Sequence, residues 1–120
     1  MAVHNHTGKQ GEQLAAELLL QKGYEILDTN WSFEKAEIDI IAYLNKTIVF
    51  AEVKTRTNLD FGMPEDFVTK AKERLLENAA QAYLEIMGHN GEIRFDIISV
   101  VFDHSGKASL NHIEDAFWPY

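Results

Sequence analysis

The sequence predicts a mixed α/β domain with elements in the order α-β-β-β-α-β-β. Three observations carry that prediction. Two segments repeat apolar residues at spacings of three and four, the period of an amphipathic helix. Between and after them lie short runs rich in Ile, Val and Phe, residues that suit a half-buried pleated surface. Two of those runs are joined only by Asn45-Lys46, a hairpin turn that makes them antiparallel neighbours. Hairpin-linked strands flanked by helices bury their faces as stacked layers.

Gly8 to Lys22 is the first expected helix, with Leu14/Leu18 and Ala15/Leu19 at i,i+4 and Gly23 as its stop. Tyr24 to Trp31 reads as the first strand. Glu37 to Leu44 is the second. Strict alternation there puts Ile38, Ile40, Ala42 and Leu44 on one face, and Glu37, Asp39, Ile41 and Tyr43 on the other. Thr47 to Arg56 is a third strand, long and apolar enough to be central. Asn58 to Gly62 reads as a loop, and Pro64 suits the first turn of a helix running to about Met87. Its apolar spacing runs through Val68, Ala71, Leu75, Ala79, Ala82, Tyr83 and Ile86, and Gly88 ends it. Glu92 to Phe102 is the fourth strand, Asp103 to Gly106 a turn, and Ala108 to Glu114 a short last strand.

With 120 residues and neither repeat nor linker, the chain is expected to be a single domain with residues 1–7 as a disordered tail. It contains no cysteine, which excludes disulfides and thiolate metal sites. No apolar run approaches the roughly 20 residues needed to span a bilayer, and the N-terminus has no apolar signal core. The expectation is a soluble, cytoplasmic protein. A net charge of −8 counts against a nucleic-acid partner, which usually meets a basic patch. A bound divalent ion reverses the local field, however, so the placement of the positive charges matters more than their sum.

The chemistry concentrates in the central hairpin. Glu52-Val53-Lys54 interrupts an apolar strand, and alternation puts Ile48, Phe50, Glu52 and Lys54 on one face. Counting outward from Asn45-Lys46 pairs Leu44 with Thr47 and sets Asp39 opposite Glu52. Opposed side chains have Cβ atoms about 4.5–5.5 Å apart. Two carboxylates that close repel unless something positive lies between them. Oxygen ligands at that spacing suit Mg²⁺, which takes one or two carboxylates plus water and phosphate oxygens. Lys54 beside them can position or deprotonate a water, or stabilise charge developing on phosphorus. The competing explanation is a structural cluster in which Lys54 neutralises Asp39 and Glu52. Spacing alone leaves both open.

Four segments, Gly8-Lys9-Gln10-Gly11-Glu12, Glu37-Ile38-Asp39-Ile40-Ile41-Ala42, Glu52-Val53-Lys54-Thr55-Arg56 and Arg94-Phe95-Asp96, resemble successive motifs of the YraN-like family of small bacterial proteins. That family is similar to archaeal Holliday-junction resolvases, within the PD-(D/E)XK nuclease superfamily. The resemblance runs from Gly8 to Phe117. It implies a restriction-endonuclease-like three-layer fold, with an α-β-β-β-α-β core around a mixed central sheet. It further implies that Asp39 and Glu52 bind Mg²⁺ or Mn²⁺ with help from the Val53 carbonyl, that Lys54 is the catalytic lysine, and that Glu12 completes the site. Thr55 and Arg56 would face phosphate. Two positions depart from the pattern: Ala36 stands where relatives usually carry glycine, and Ser32 where many carry arginine.

Lys70, Lys72 and Arg74 lie on the polar side or border of the second helix; they can follow a phosphate backbone or form a solvated face. Arg94 and Asp96 share a strand face and are expected to pair. His89, His104 and His112 lack ligand spacing, Asp103, His104 and Ser105 read as turn residues, and Trp118 and Tyr120 are expected to cover an edge of the core. The expected function is Mg²⁺-dependent hydrolysis of DNA phosphodiester bonds, on branched or processed DNA. The resolvase resemblance implies a homodimer. The alternatives are a nucleic-acid binding module without activity and a protein-interaction domain.

Overall fold

Seven elements make up the computed structural model, which describes residues 2–57 and 69–118, with side chains from Thr7 onward. They are α1 (Ala2–Gln21), β1 (Glu25–Phe33), β2 (Ala36–Leu44), β3 (Thr47–Thr57), α2 (Lys70–Met87), β4 (Glu92–Phe102) and β5 (Ala108–Ile113). The strands form one five-stranded sheet in the order β1-β2-β3-β4-β5. Hairpin neighbours pair antiparallel, while β3 and β4 pair in parallel across the connection that contains α2. A parallel pair needs such a crossover, so the sheet is mixed. No helix among the described residues is long and apolar enough to cross a membrane.

Among the described residues, one helix covers each face of the sheet. Ala15 and Leu19 of α1 pack on Ile40, Ala42, Val49, Ala51, Ile98 and Val100. Leu76, Ala79, Ala80 and Tyr83 of α2 pack on Ile41, Ile48, Phe50 and Phe95. The expected buried stripe of α2 is therefore displaced around the helix. Leu75 and Ile86, predicted to face inward, are 38% and 71% exposed. The alanines let the helix approach the sheet closely. Tyr83 then sets its ring edge-on to Phe50 and Trp31 and donates its hydroxyl to Asp28 at 2.9 Å.

Both helices begin elsewhere than expected. α1 starts at Ala2, so residues 2–7, predicted as a tail, continue the helix; no Gly or Pro precedes Gly8 to break it. α2 starts at Lys70, with the Thr69 hydroxyl as N-cap accepting from the Lys72 amide at 3.1 Å. The expected loop at 58–62, Pro64 and Val68 lie outside the described residues, as does Tyr120. Gly88 closes α2 in the left-handed conformation, φ 63°. Trp118 meets Phe95 edge-on, as expected of an edge cover.

Alternation along β2 breaks at Asp39. Ile38 joins Ile41 on the α2 face, whereas Ile40 lies on the α1 face, so Ile38 and Ile40 do not share a side as strict alternation requires. Asn30 of β1, with φ 51°, lies between the pairs Thr29↔Ile40 and Trp31↔Ile38. Its left-handed backbone twists the ribbon locally, and β2 follows.

The expected pair of Arg94 and Asp96 is the centre of a larger buried network. Asp96 is fully buried. It accepts from Arg94 Nε at 2.8 Å, from His112 Nε2 at 2.7 Å and from the Asp115 amide at 3.0 Å. Lys22 Nζ donates to His112 Nδ1 at 2.8 Å, which leaves the ring proton on Nε2 for Asp96. Arg94 also donates to the Tyr24 hydroxyl. The network ties the end of α1, β4 and β5 together beneath one face.

α1 comes close to β3 at Gly11. A Cβ there would lie 2.0 Å from Thr55 Oγ1 and 3.1 Å from Thr55 Cβ. Gly11→Ala is expected to destabilise the fold by about 1–3 kcal/mol through overpacking. Urea denaturation of Gly11→Ala, alone and combined with Thr55→Ala, measures this. The second change should recover most of the loss, and no recovery would place the cost elsewhere.

Candidate functional site

The β2–β3 ladder ends at Ile40↔Ala51, and beyond that pair the two strands part. The Val53 amide would need a β2 carbonyl to continue the ladder. It donates instead to Asp39 Oδ2 at 2.8 Å, so the side chain takes over a backbone role at the fork. Glu52, one residue before Val53, turns to the α2 face with Ile48 and Phe50, as alternation predicts. Asp39 and Glu52 line one cleft of about 520 Å³, together with Lys35, Glu37, Thr69 and Lys72. A larger cleft of about 590 Å³ opens at the other end of β3, beside Tyr43, Lys46 and His89, and contains none of this charged group.

Burial in this fork strongly perturbs the acids and bases. Desolvation, with the Glu52 charge adding to it, pushes Asp39 from the ordinary 3.8 up to about 7 against the pull of the Val53 amide. Burial, with the neighbouring Lys72 ammonium, lowers Lys54 from 10.5 to about 8. Burial also disfavours the Lys72 ammonium, but its hydrogen bond and attraction to Glu52 outweigh that and raise its pKa. Glu52 is itself 3% exposed. Its Oε1 lies 2.9 Å from Lys72 Nζ and 4.0 Å from Lys54 Nζ. Its Oε2 is buried and, among the described residues, meets no hydrogen-bond partner. A native structure rarely leaves such an atom unpaired without a functional or ionic reason.

Glu12 approaches the same end of the sheet from α1, on the other face. Burial raises its pKa; the Asn30 side chain opposes that by hydrogen bonding, and the charges of Glu37 and Glu52 add to the rise. Among the described residues, however, no three His, Asp or Glu side chains converge closely enough to hold an ion by themselves. The convergent pair is Asp39 and Glu52. That donor set still fits a hard divalent cation, which takes few carboxylates and completes its shell with water and substrate oxygens. The unpaired Oε2 is the atom such an ion would satisfy.

The remaining candidates divide. Thr55 points to the α1 face beneath Gly11, while the Arg56 guanidinium donates to the Thr55 carbonyl at 2.8 Å. Lys70 is exposed and 3.7 Å from Glu73, and Arg74 is exposed. Lys72 alone of the helical cations turns inward. It lies four residues before Leu76, a signal in the sequence, but one legible only once the buried face of α2 is known.

Over residues 11–100 the chain matches the family described as "Uncharacterised protein family UPF0102". The chain belongs to this family. It is 50% identical over 120 residues to the UPF0102 protein of Flavobacterium psychrophilum, covering 100% of both chains. Similarity to the UPF0102 protein of Christiangramia forsetii is 46% identity over 118 residues, 98% of each chain. For that of Chlorobium chlorochromatii it is 46% over 116 residues, 92% of this chain and 90% of the relative. Glu12, Asp39, Glu52, Lys54, Lys72 and Asp96 all fall inside the span the family covers, whereas His112 lies beyond it.

Proposed function

We propose that this chain is a Mg²⁺- or Mn²⁺-dependent endonuclease that hydrolyses DNA phosphodiester bonds, built on a restriction-endonuclease-like fold. The observation that carries the proposal is the fork. Two carboxylates share one cleft, one of them has a buried oxygen without a partner among the described residues, and a lysine of lowered pKa stands beside them. Asp39 and Glu52 would hold the ion with the Val53 carbonyl, and Glu12 would act from its rim. When bound, the ion supplies an acidified water and offsets charge on the phosphate. Lys54, held near 8, can take the proton of the attacking water near neutral pH. The mixed sheet with one helix on each face agrees with the fold. A homodimer would present two such sites to a two-stranded or branched substrate.

A second reading follows from the two lysines. They already neutralise two carboxylates, as in a closed structural cluster or an inactive nucleic-acid binding module. The unpaired Glu52 Oε2 favours the first reading. Titration calorimetry of Mg²⁺ and Mn²⁺ into wild type and Asp39→Ala, followed by incubation with duplex and four-way-junction DNA, tests it. Ion binding that disappears in Asp39→Ala, with cleavage by wild type alone, is the expected result. An ion-free protein that leaves every DNA intact would sink the proposal. DNA affinity should also fall steeply with salt, because phosphate contacts release counterions.

A further inference from the structure

The lysine closest to Glu52 is not its strand neighbour. Lys72 Nζ sits 2.9 Å from Glu52 Oε1, whereas Lys54 Nζ is 4.0 Å away. The two lysines also differ in freedom. The Lys54 side chain is 12% exposed and rooted in a central strand; that of Lys72 is 40% exposed and reaches in from the first turn of α2. Asp39, Glu52, Lys54 and Lys72, all in their charged forms, sum to zero. A divalent cation entering that group would add two positive charges beside two ammonium groups. Entry becomes favourable when one ammonium leaves and a phosphodiester brings compensating negative charge.

We propose that Lys72 is a tethered counter-ion on Glu52 that weakens divalent-cation binding until a DNA phosphodiester draws it away. Its long, half-exposed stem then lets the ammonium swing off Glu52 and meet a phosphate oxygen. This inference rests on the nuclease reading of the fork, and it adds a coupling: ion and DNA each strengthen the binding of the other, because linkage is reciprocal. Lys72 thus acts on Glu52 in the free protein and on the phosphate in the complex.

The test is titration of Mn²⁺ into wild type, Lys72→Met and Lys72→Arg, with and without a short DNA duplex. Methionine keeps the stem and removes the charge; Lys72→Gln serves as a second neutral variant if Lys72→Met does not fold. Without DNA, Lys72→Met is expected to bind Mn²⁺ about two- to fivefold more tightly than wild type, the range for losing a partly exposed competing ion pair. Lys72→Arg should stay near wild type. Duplex DNA should tighten Mn²⁺ binding more in wild type than in Lys72→Met. Equal or weaker Mn²⁺ binding by Lys72→Met, still abolished by adding Asp39→Asn, would overturn the counter-ion role and leave the nuclease reading standing. No Mn²⁺ binding by any variant would overturn both.

Discussion

Asp39→Asn is expected to melt higher than wild type at pH 8 without divalent ions, and to lose divalent-ion binding altogether. The two effects have one cause. Asp39 is pushed from 3.8 up to about 7 by burial and by Glu52, so its ionised form is a burden on the folded state. A tenfold change in acidity corresponds to about 1.4 kcal/mol, so a shift from 3.8 to about 7 makes the burden at most about 4 kcal/mol. A smaller value is expected because Lys54 and Lys72 respond to the charge. Asparagine removes the charge and keeps an oxygen to accept from the Val53 amide. The sign follows from linkage. A carboxyl whose folded pKa is raised contributes stability that is fully present below the unfolded value near 4 and lost as pH rises through about 7. Wild type and Asp39→Asn should therefore diverge between about pH 4 and 7 and stay apart above it. Urea denaturation across that range, with calorimetry of Mn²⁺ at pH 8, measures both arms. An Asp39→Asn protein less stable than wild type at pH 8 would contradict the electrostatic account of the fork.

Asp96→Ala should be the most damaging of these substitutions to the fold, costing about 3–5 kcal/mol, as breaking a buried charged network does. Alanine leaves Arg94 and the nearly inaccessible His112 without their shared partner and frees the Asp115 amide. The melting temperature should fall by at least about 10 °C for a domain of this size. Burial pushes the Asp96 carboxyl up, but hydrogen bonds from His112, Arg94 and the Asp115 amide outweigh it, and its pKa lies below 3.8. Such a group contributes stability present above the unfolded value and lost as pH falls through the folded one. The difference between wild type and Asp96→Ala should thus hold steady from pH 8 to about 4 and shrink only in stronger acid. That is the reverse of the Asp39 profile, and scanning calorimetry over pH separates the two. A cost below about 1 kcal/mol would mean that Asp96 is not the keystone of the network.

Most of the element order was legible because periodicity is local. The spacing of apolar side chains along β2, β3 and β4 reports strand without reference to anything distant, and Gly23 and Gly88 mark helix ends by their backbone freedom. The two-residue turn at Asn45-Lys46 set the β2–β3 register by counting, and the ladder from Leu44↔Thr47 to Ile40↔Ala51 agrees with it. From that count came the juxtaposition of Asp39 and Glu52, and from alternation the shared face of Glu52 and Lys54. What the count could not reach was the fork itself. The strands part after Ile40, and Ile38 changes face, because the left-handed backbone of Asn30 on the neighbouring strand twists the ribbon.

Contacts between elements far apart in the chain were decided only by the tertiary structure. The buried side of α2 depends on which residues let the helix come close: Ala79 and Tyr83 are buried as their spacing implied, but Leu76 and Ala80 join them in place of Leu75 and Ile86. That rotation is what brings Lys72 onto Glu52, twenty residues away. The Asp96 network likewise needs Lys22 and Tyr24 at the end of α1 and His112 on the edge strand to meet above β4. By itself, then, the sequence determined the strands, the central hairpin and the nearness of its two acids, because those follow from neighbours along the chain; the direct opposition of Asp39 and Glu52 that the count gave is replaced by the fork, where the ladder stops at Ile40↔Ala51. The partners of that pair, and the buried charge network on the other face, were decided by packing, because the energy of an ion pair depends on through-space distance and burial, which no spacing along the chain encodes.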